Sequence, residues 1–189
     1  MRMFCVSVIL GWLLVVCASA AKRDKNHIDA FMPGAVDENE VSQEVRHQLI
    51  TLPYYGVFDD LAFRIDGSTV TLLGAVTQPL LKSDAENSVK RIKGVSRVIN
   101  SIEVLPLSPM DNQIRAAVYR AIYGDPALSD HYGFRAVPSI HILVKNGNVV
   151  LEGVVANSND KNIAGLRANG VAGVFSVTND LVAESGLAR

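Results

Sequence analysis

The feature that most constrains this chain is a repeat. Asp66 to Ile102 reads DGSTVTLLGAVTQPLLKSDAENSVKRIKGVSRVINSI, and Asn146 to Leu181 reads NGNVVLEGVVANSNDKNIAGLRANGVAGVFSVTNDL. Gly74 recurs as Gly153 and Gly94 as Gly173, both 79 residues on (153 − 74 and 173 − 94). Val98 and Asn100 recur at the same spacing as Val177 and Asn179. An offset held across strand, helix and strand marks a duplicated supersecondary unit. Whatever the chain folds into must therefore be small enough to stand twice in 189 residues.

Taken in order, each copy has the same pattern. Val41, Val45 and Leu49 recur every four residues on one helical face, and Pro53 ends that helix. Leu61, Phe63 and Ile65 alternate as a strand, Asp66-Gly67 turns a hairpin, and Val70, Leu72 and Val76 return, with Gly74 interrupting. Pro79 opens a second helix with Leu81, Ala85, Val89 and Ile92 inward; Gly94 is expected to close it, and a strand follows from Val95 to Val104. Pro106 and Pro109 read as a stiff linker, 106–110. In the second copy Asp111 is the expected N-cap of a helix carrying Ile114, Ala117, Val118, Ala121 and Ile122. Gly124 to Pro138 is a longer connection than its counterpart and is read as an insertion. Ile140, Ile142 and Val144 then alternate, Asn146-Gly147 turns, and Val149 to Val155 returns. Asn157 or Ser158 caps a helix with Ile163, Leu166 and Val171 inward, Gly173 closes it, and Val174 to Val182 is the last strand.

The expected fold is α+β: two tandem α-β-β-α-β domains, 38–105 and 111–184, each a three-stranded mixed sheet with two helices on one face. Gly67, Gly74, Gly94, Gly147, Gly153 and Gly173 are read as structural glycines. Units of this size lie near the lower limit for independent folding, so contact between the two halves is expected.

Met1 to Ala20 reads as an export signal: Arg2, an apolar run from Phe4 to Val16, and Ala18-Ser19-Ala20 as a small-x-small cleavage pattern. The apolar run is shorter than the ~20 residues that span a bilayer. Both cysteines, Cys5 and Cys17, fall inside it. Val16 is larger than the residue that usually precedes a lipidated cysteine. The mature chain is expected to be periplasmic and to carry no thiol. Residues 21–37 read as a flexible leader; the competing reading is a short amphipathic piece using Ile28, Phe31 and Met32.

Net charge is −1, which argues against a general nucleic-acid binder. His27, His47, His131 and His141 show no metal-ligand spacing, and no nucleophile elbow, phosphate loop or dinucleotide fingerprint occurs. Asp59-Asp60 reads as a turn pair. No catalytic residue, metal or cofactor is expected.

Gly67-Ser68-Thr69-Val70-Thr71-Leu72-Leu73-Gly74 followed by Gly94-Val95-Ser96-Arg97-Val98-Ile99-Asn100 resembles the core and ending of the BON domain family. Gly147-Asn148-Val149-Val150-Leu151-Glu152-Gly153 followed by Gly173-Val174-Phe175-Ser176-Val177-Thr178-Asn179 repeats both, with Gly-Asn-Val one residue shorter than Gly-Ser-Thr-Val. The resemblance implies a non-enzymatic envelope module that binds phospholipid or envelope partners and supports envelope integrity under osmotic stress. The alternative is an adaptor that binds an envelope protein without touching lipid.

Two surfaces are candidates for such contact. Lys82, Lys90, Arg91, Lys93 and Arg97 make one helix basic, but Lys82–Glu86 and Glu86–Lys90 are i, i+4 pairs of a solvated face. Arg115, Tyr119 and Tyr123, at i, i+4 and i+8 with Arg120 nearby, suit a lipid headgroup or partner interface, or else the edge of the core or a domain–domain contact.

Overall fold

The computed structural model describes residues 28–29, 40–134 and 139–184. The residues read as an export signal, and most of those read as a leader, lie outside the described residues. In the first domain, helix α1 (Glu40–Ile50) precedes the hairpin β2 (Asp60–Asp66) and β3 (Thr69–Val76). Helix α2 (Pro79–Val89) then leads to β4 (Arg97–Asn100) and β5 (Glu103–Val104). A short strand from the leader, β1 (Ile28–Asp29), pairs antiparallel with β2. The sheet order is β1-β2-β3-β4, with β5 also beside β3.

The second domain repeats this with α3 (Pro109–Tyr123), β6 (Ile140–Lys145), β7 (Asn148–Val155), α5 (Ser158–Asn169), β8 (Ser176–Asn179) and β9 (Val182–Ala183). Helix α4 (Pro126–Tyr132) occupies the insertion. β3 runs parallel to β4 and β5, as β7 does to β8 and β9, with a helix in each crossover. The α+β architecture of two repeated units is as the sequence indicates. The third strand differs, because each copy divides it in two.

A duplicated asparagine explains that break. Asn100 Nδ2 donates to Lys82 O of α2 at 2.8 Å, and its Oδ1 accepts from Ile102 N at 3.2 Å. Asn179 does the same with Lys161 O at 2.7 Å and Leu181 N at 3.4 Å. The side chain thus ties strand end to helix and turns the backbone out of the ladder.

Gly74 and Gly153 are also fixed by geometry. At φ +104° and +110°, each lies opposite the first hairpin strand so closely that a Cβ would stand 2.2 Å from Asp60 O or 2.0 Å from Ser139 O. The other four glycines singled out above also have positive φ. Gly94 and Gly173 do not close their helices, however. α2 ends at Val89 and α5 at Asn169, and each glycine sits later, at the third position of a turn closed by Val95 N to Ile92 O or Val174 N to Val171 O.

One face of each sheet meets its two helices. Val45, Leu49, Leu81 and Ala85 pack over Phe63, Leu72 and Val76 in the first core. Ile114, Val118, Ile122, Ala164 and Ala168 pack over Ile142 and Leu151 in the second. Two local expectations are corrected. Leu166 is 73% exposed, and α5 buries its small face, Ala164, Gly165 and Ala168, because Asn179 presses against Gly165 and leaves no room for a larger side chain. Pro109 belongs to α3 rather than to a linker, and Ser108 is the N-cap, its side chain accepting from Asp111 N at 3.1 Å. Asp111 instead holds the β6–β7 turn, accepting from Asn146 N and Gly147 N at 2.9 Å each.

Candidate functional site

The turn between α1 and β2 reaches the second domain. Val57 O accepts from Ile142 N at 2.7 Å, so this loop adds one backbone bond to the outer edge of β6. Tyr55 stacks on buried His141 with ring centroids 5.6 Å apart, and Phe58 meets Tyr119 edge-on at 6.2 Å. Val57 and Phe58 pack against the second core, and Lys145 pairs with Glu103 across the domains.

This contact redistributes the residues read as a lipid- or partner-facing row. Arg115 is buried; its Nη2 donates to Val144 O at 2.7 Å and its Nη1 to Asn112 Oδ1 at 2.6 Å. Burial holds its guanidinium below the ordinary arginine value, against the pull of Asp111 and Asp59. Tyr123 is buried as well, and its hydroxyl donates to Ile140 O at 2.6 Å. Tyr119 lies between Tyr123 and Phe58. Tyr119 keeps 37% of its surface open, and Arg120 is exposed beside a groove of about 410 Å³ lined also by Asp125, Pro126, Leu166 and Arg167. The four residues are therefore not one exposed face. Three groups along the β6 edge, Ile140 O, Ile142 N and Val144 O, are closed by Tyr123, Val57 and Arg115, which blunts the strand edge.

The acidic groups have structural duties. Asp59 is buried and accepts from Thr77 N at 2.7 Å and Thr77 Oγ1 at 2.8 Å. At the equivalent place in the second domain, Ala156 N donates to the Tyr132 hydroxyl at 2.8 Å, which itself donates to Asp160 Oδ2 at 2.6 Å. Burial, then that bond to Asp160, pushes the Tyr132 phenol up to about 12. Asp125 caps α4 through Ala127 N and pairs with Arg167 Nε at 2.5 Å, and both hold its carboxyl below the usual range. Glu86, a member of the basic helix, pairs with Lys90 and accepts from Asn100. Among the described residues no three metal-ligating side chains gather, and no helix is long and apolar enough to cross a membrane.

Exposed apolar side chains were not singled out from sequence. Leu107 is 94% exposed, Met110 61% and Phe175 85%. They share one end of the second domain: Met110 adjoins Asp111, which grips the Asn146–Gly147 turn, and Phe175 N donates to Gly147 O on its other side at 2.8 Å. The signal available in sequence was a phenylalanine and a methionine just outside the core periodicity, next to a turn and a helix start.

A twice-built α-β-β-α-β unit with its marked residues committed to turns, close strand approach and strand ends defines a tandem module of small mixed domains. The BON domain family model matches residues 37–106 and 110–185, and the chain belongs to that family, with two copies in tandem. No curated protein matches the chain. Similar solved structures include two of one protein. One is of CdsD, a structural protein of the type III secretion system of Chlamydia trachomatis, at 14% identity and TM-score 0.30, covering 79% of this chain and 96% of that one. The other is the C-terminal domain of CdsD, at 16% identity and TM-score 0.28, covering 78% and 99%.

Proposed function

We propose that this protein is a non-enzymatic envelope module, exported and periplasmic once cleaved after Ala20, that docks on anionic phospholipid and supports envelope integrity under osmotic stress. The observation that carries the reading is the exposed apolar end of the second domain, Leu107, Met110 and Phe175, around the Asn146–Gly147 turn. The basic helix of the first domain adds little, since Lys90 is paired and about 1 kcal/mol per basic residue stays short of millimolar binding. Burying three large apolar side chains contributes about 5 kcal/mol at the lower end of the usual range, before the cost of association. That supports weak, reversible contact with a bilayer interface.

Co-sedimentation with phosphatidylglycerol vesicles tests this. A Met110→Ser, Phe175→Ser variant loses at least about tenfold in partitioning, one large side chain being worth about 1.5 kcal/mol or more. Arg115→Met leaves partitioning unchanged. Absence of vesicle binding by the unaltered protein, or equal binding by the serine variant, overturns the reading.

A further inference from the structure

The two repeats treat the same strand edge differently. Phe63 of β2 corresponds to Ile142 of β6 by the 79-residue offset (142 − 63). Ile142 N meets the backbone of Val57, and Phe63 is the register partner of Ile28. In both copies, then, the first hairpin strand takes a backbone partner at one and the same edge position from a segment that precedes it in the chain, a strand in the first copy and a turn in the second.

The rest of the edge diverges. On β6, Tyr123 and Arg115 of α3 close Ile140 O and Val144 O. The helices superpose with Val41 on Ile114, since these face Gly94 and Gly173 respectively. By that match (114 − 41) Tyr123 falls on Ile50 and Arg115 on Ser42. Isoleucine has no side-chain donor, so the tyrosine cap of β6 has no counterpart at Ile50, and a short strand pairs with the first domain's edge instead. Among the described residues, only Ala62 and Phe63 of the seven-residue β2 have strand partners there, Asp29 and Ile28.

We propose that the outer edge of β2 is a strand-acceptor site whose occupant is exchangeable: the Ile28–Asp29 segment of a second copy of this chain takes it in trans, giving a strand-exchanged dimer. A second copy is the occupant the structure favours, because this chain's own sequence is what sits on the edge, with Ile28 opposite Phe63. A neighbour's segment makes the same contacts in the same register, so exchange replaces like with like. Residues 30–39, which join β1 to α1, number ten. Fully extended they span about 33 Å, enough to carry the segment onto an adjacent molecule.

The predicted mature chain contains no cysteine, which makes the test direct. Asp29→Cys with Ala62→Cys places a thiol on each of two register partners. The chain from Ala21 is equilibrated over a range of concentrations, oxidised, and run on non-reducing gels. The expected result is a cross-linked dimer whose share rises steadily between about 5 µM and about 500 µM, as mass action requires. Light scattering of the cysteine-free chain should show the same rise, abolished by Ile28→Pro, which removes the backbone N–H of the paired segment. Cross-linking that stays within single chains at every concentration overturns exchange. No cross-linking in either form overturns the acceptor site itself. A dimer that survives Ile28→Pro places the contact elsewhere and also overturns the proposal.

Discussion

If Gly74 is required by the close approach of two backbones, replacing it should cost far more than replacing a glycine that only turns. Gly67 provides the internal comparison. It has φ +63°, and a Cβ added there would meet no atom within 4 Å. Gly67→Ala therefore incurs only the left-handed backbone cost, about 1–2 kcal/mol, partly offset by a stiffer unfolded chain. Gly74 has φ +104°, and its Cβ would lie 2.2 Å from Asp60 O, 2.9 Å from Asp60 C and 3.2 Å from Leu61 Cα. A carbon and a carbonyl oxygen need roughly 3.2 Å or more, so β2 and β3 must part by about 1 Å along a ladder in which Asp60 pairs with Ala75 and Leu61 with Gly74. Both neighbours are backbone and cannot swing aside. Gly74→Ala should therefore cost about 4 kcal/mol or more, in the range reserved for core or backbone defects. In a domain of this size that lowers the midpoint by ~16 °C or more, against ~4–8 °C for Gly67→Ala. Trp12, the chain's one tryptophan, lies in the segment read as an export signal and outside the described residues, so urea and thermal unfolding are best followed by circular dichroism. Gly153→Ala should repeat the large loss in the second domain, where Ser139 O stands at 2.0 Å. Equal losses for Gly67→Ala and Gly74→Ala would refute the close-approach argument.

Other variants separate edge closure from surface contact. Arg115→Met keeps the aliphatic stem but leaves Val144 O without its donor, and should destabilise by about 1–3 kcal/mol in urea titration. Tyr123→Phe does the same to Ile140 O with a similar loss, and neither changes vesicle partitioning. Tyr132 is raised in the folded state, so its contribution is fully present below its ordinary value of 10.0 and is lost as pH climbs towards about 12. Tyr132→Phe should lower stability at neutral pH and flatten that alkaline fall, seen as midpoints measured across about pH 9–12. Asp125 is lowered, so its contribution is present above the ordinary carboxylate range and lost as pH falls through the lowered value; Asp125→Ala should flatten the acid limb.

What the sequence made legible was whatever the backbone demands of a residue type. A hairpin turn, a strand pressed on its neighbour and an asparagine at a strand end each leave a mark at fixed spacing, and duplication doubled every mark. Surfaces were harder, because periodicity names a face without naming what covers it. Arg115 and Tyr123 suit a lipid headgroup and a strand edge for the same chemical reason, a long apolar body with a polar tip. Only the position of β6 decides between them. Hydrophobicity also misplaced α5: Leu166 looks like core, but the close packing of Asn179 on Gly165 selects Ala164 and Ala168 instead. Ile28–Asp29 is too short for any periodic signal, yet it pairs with β2.

The two copies show where divergence was tolerated. The backbone group at Thr77 N recurs as Ala156 N, and both are satisfied, but by Asp59 in one copy and by the hydroxyl of Tyr132 in the other. Tyr132 belongs to α4, in the insertion the first domain lacks, so a helix has replaced a single carboxylate. The edge at Phe63 and Ile142 follows the same logic: the demand for a partner is kept, while the supplier changes from a leader strand to an inter-domain loop with two side-chain caps. Because a buried polar group left unpaired costs about 1–3 kcal/mol, such positions can change supplier only when another is already in place. The insertion and the domain contact are therefore coupled to the fold of the second copy, and changes to the exposed end at Leu107, Met110 and Phe175, which satisfies no such demand, should alter binding without altering stability.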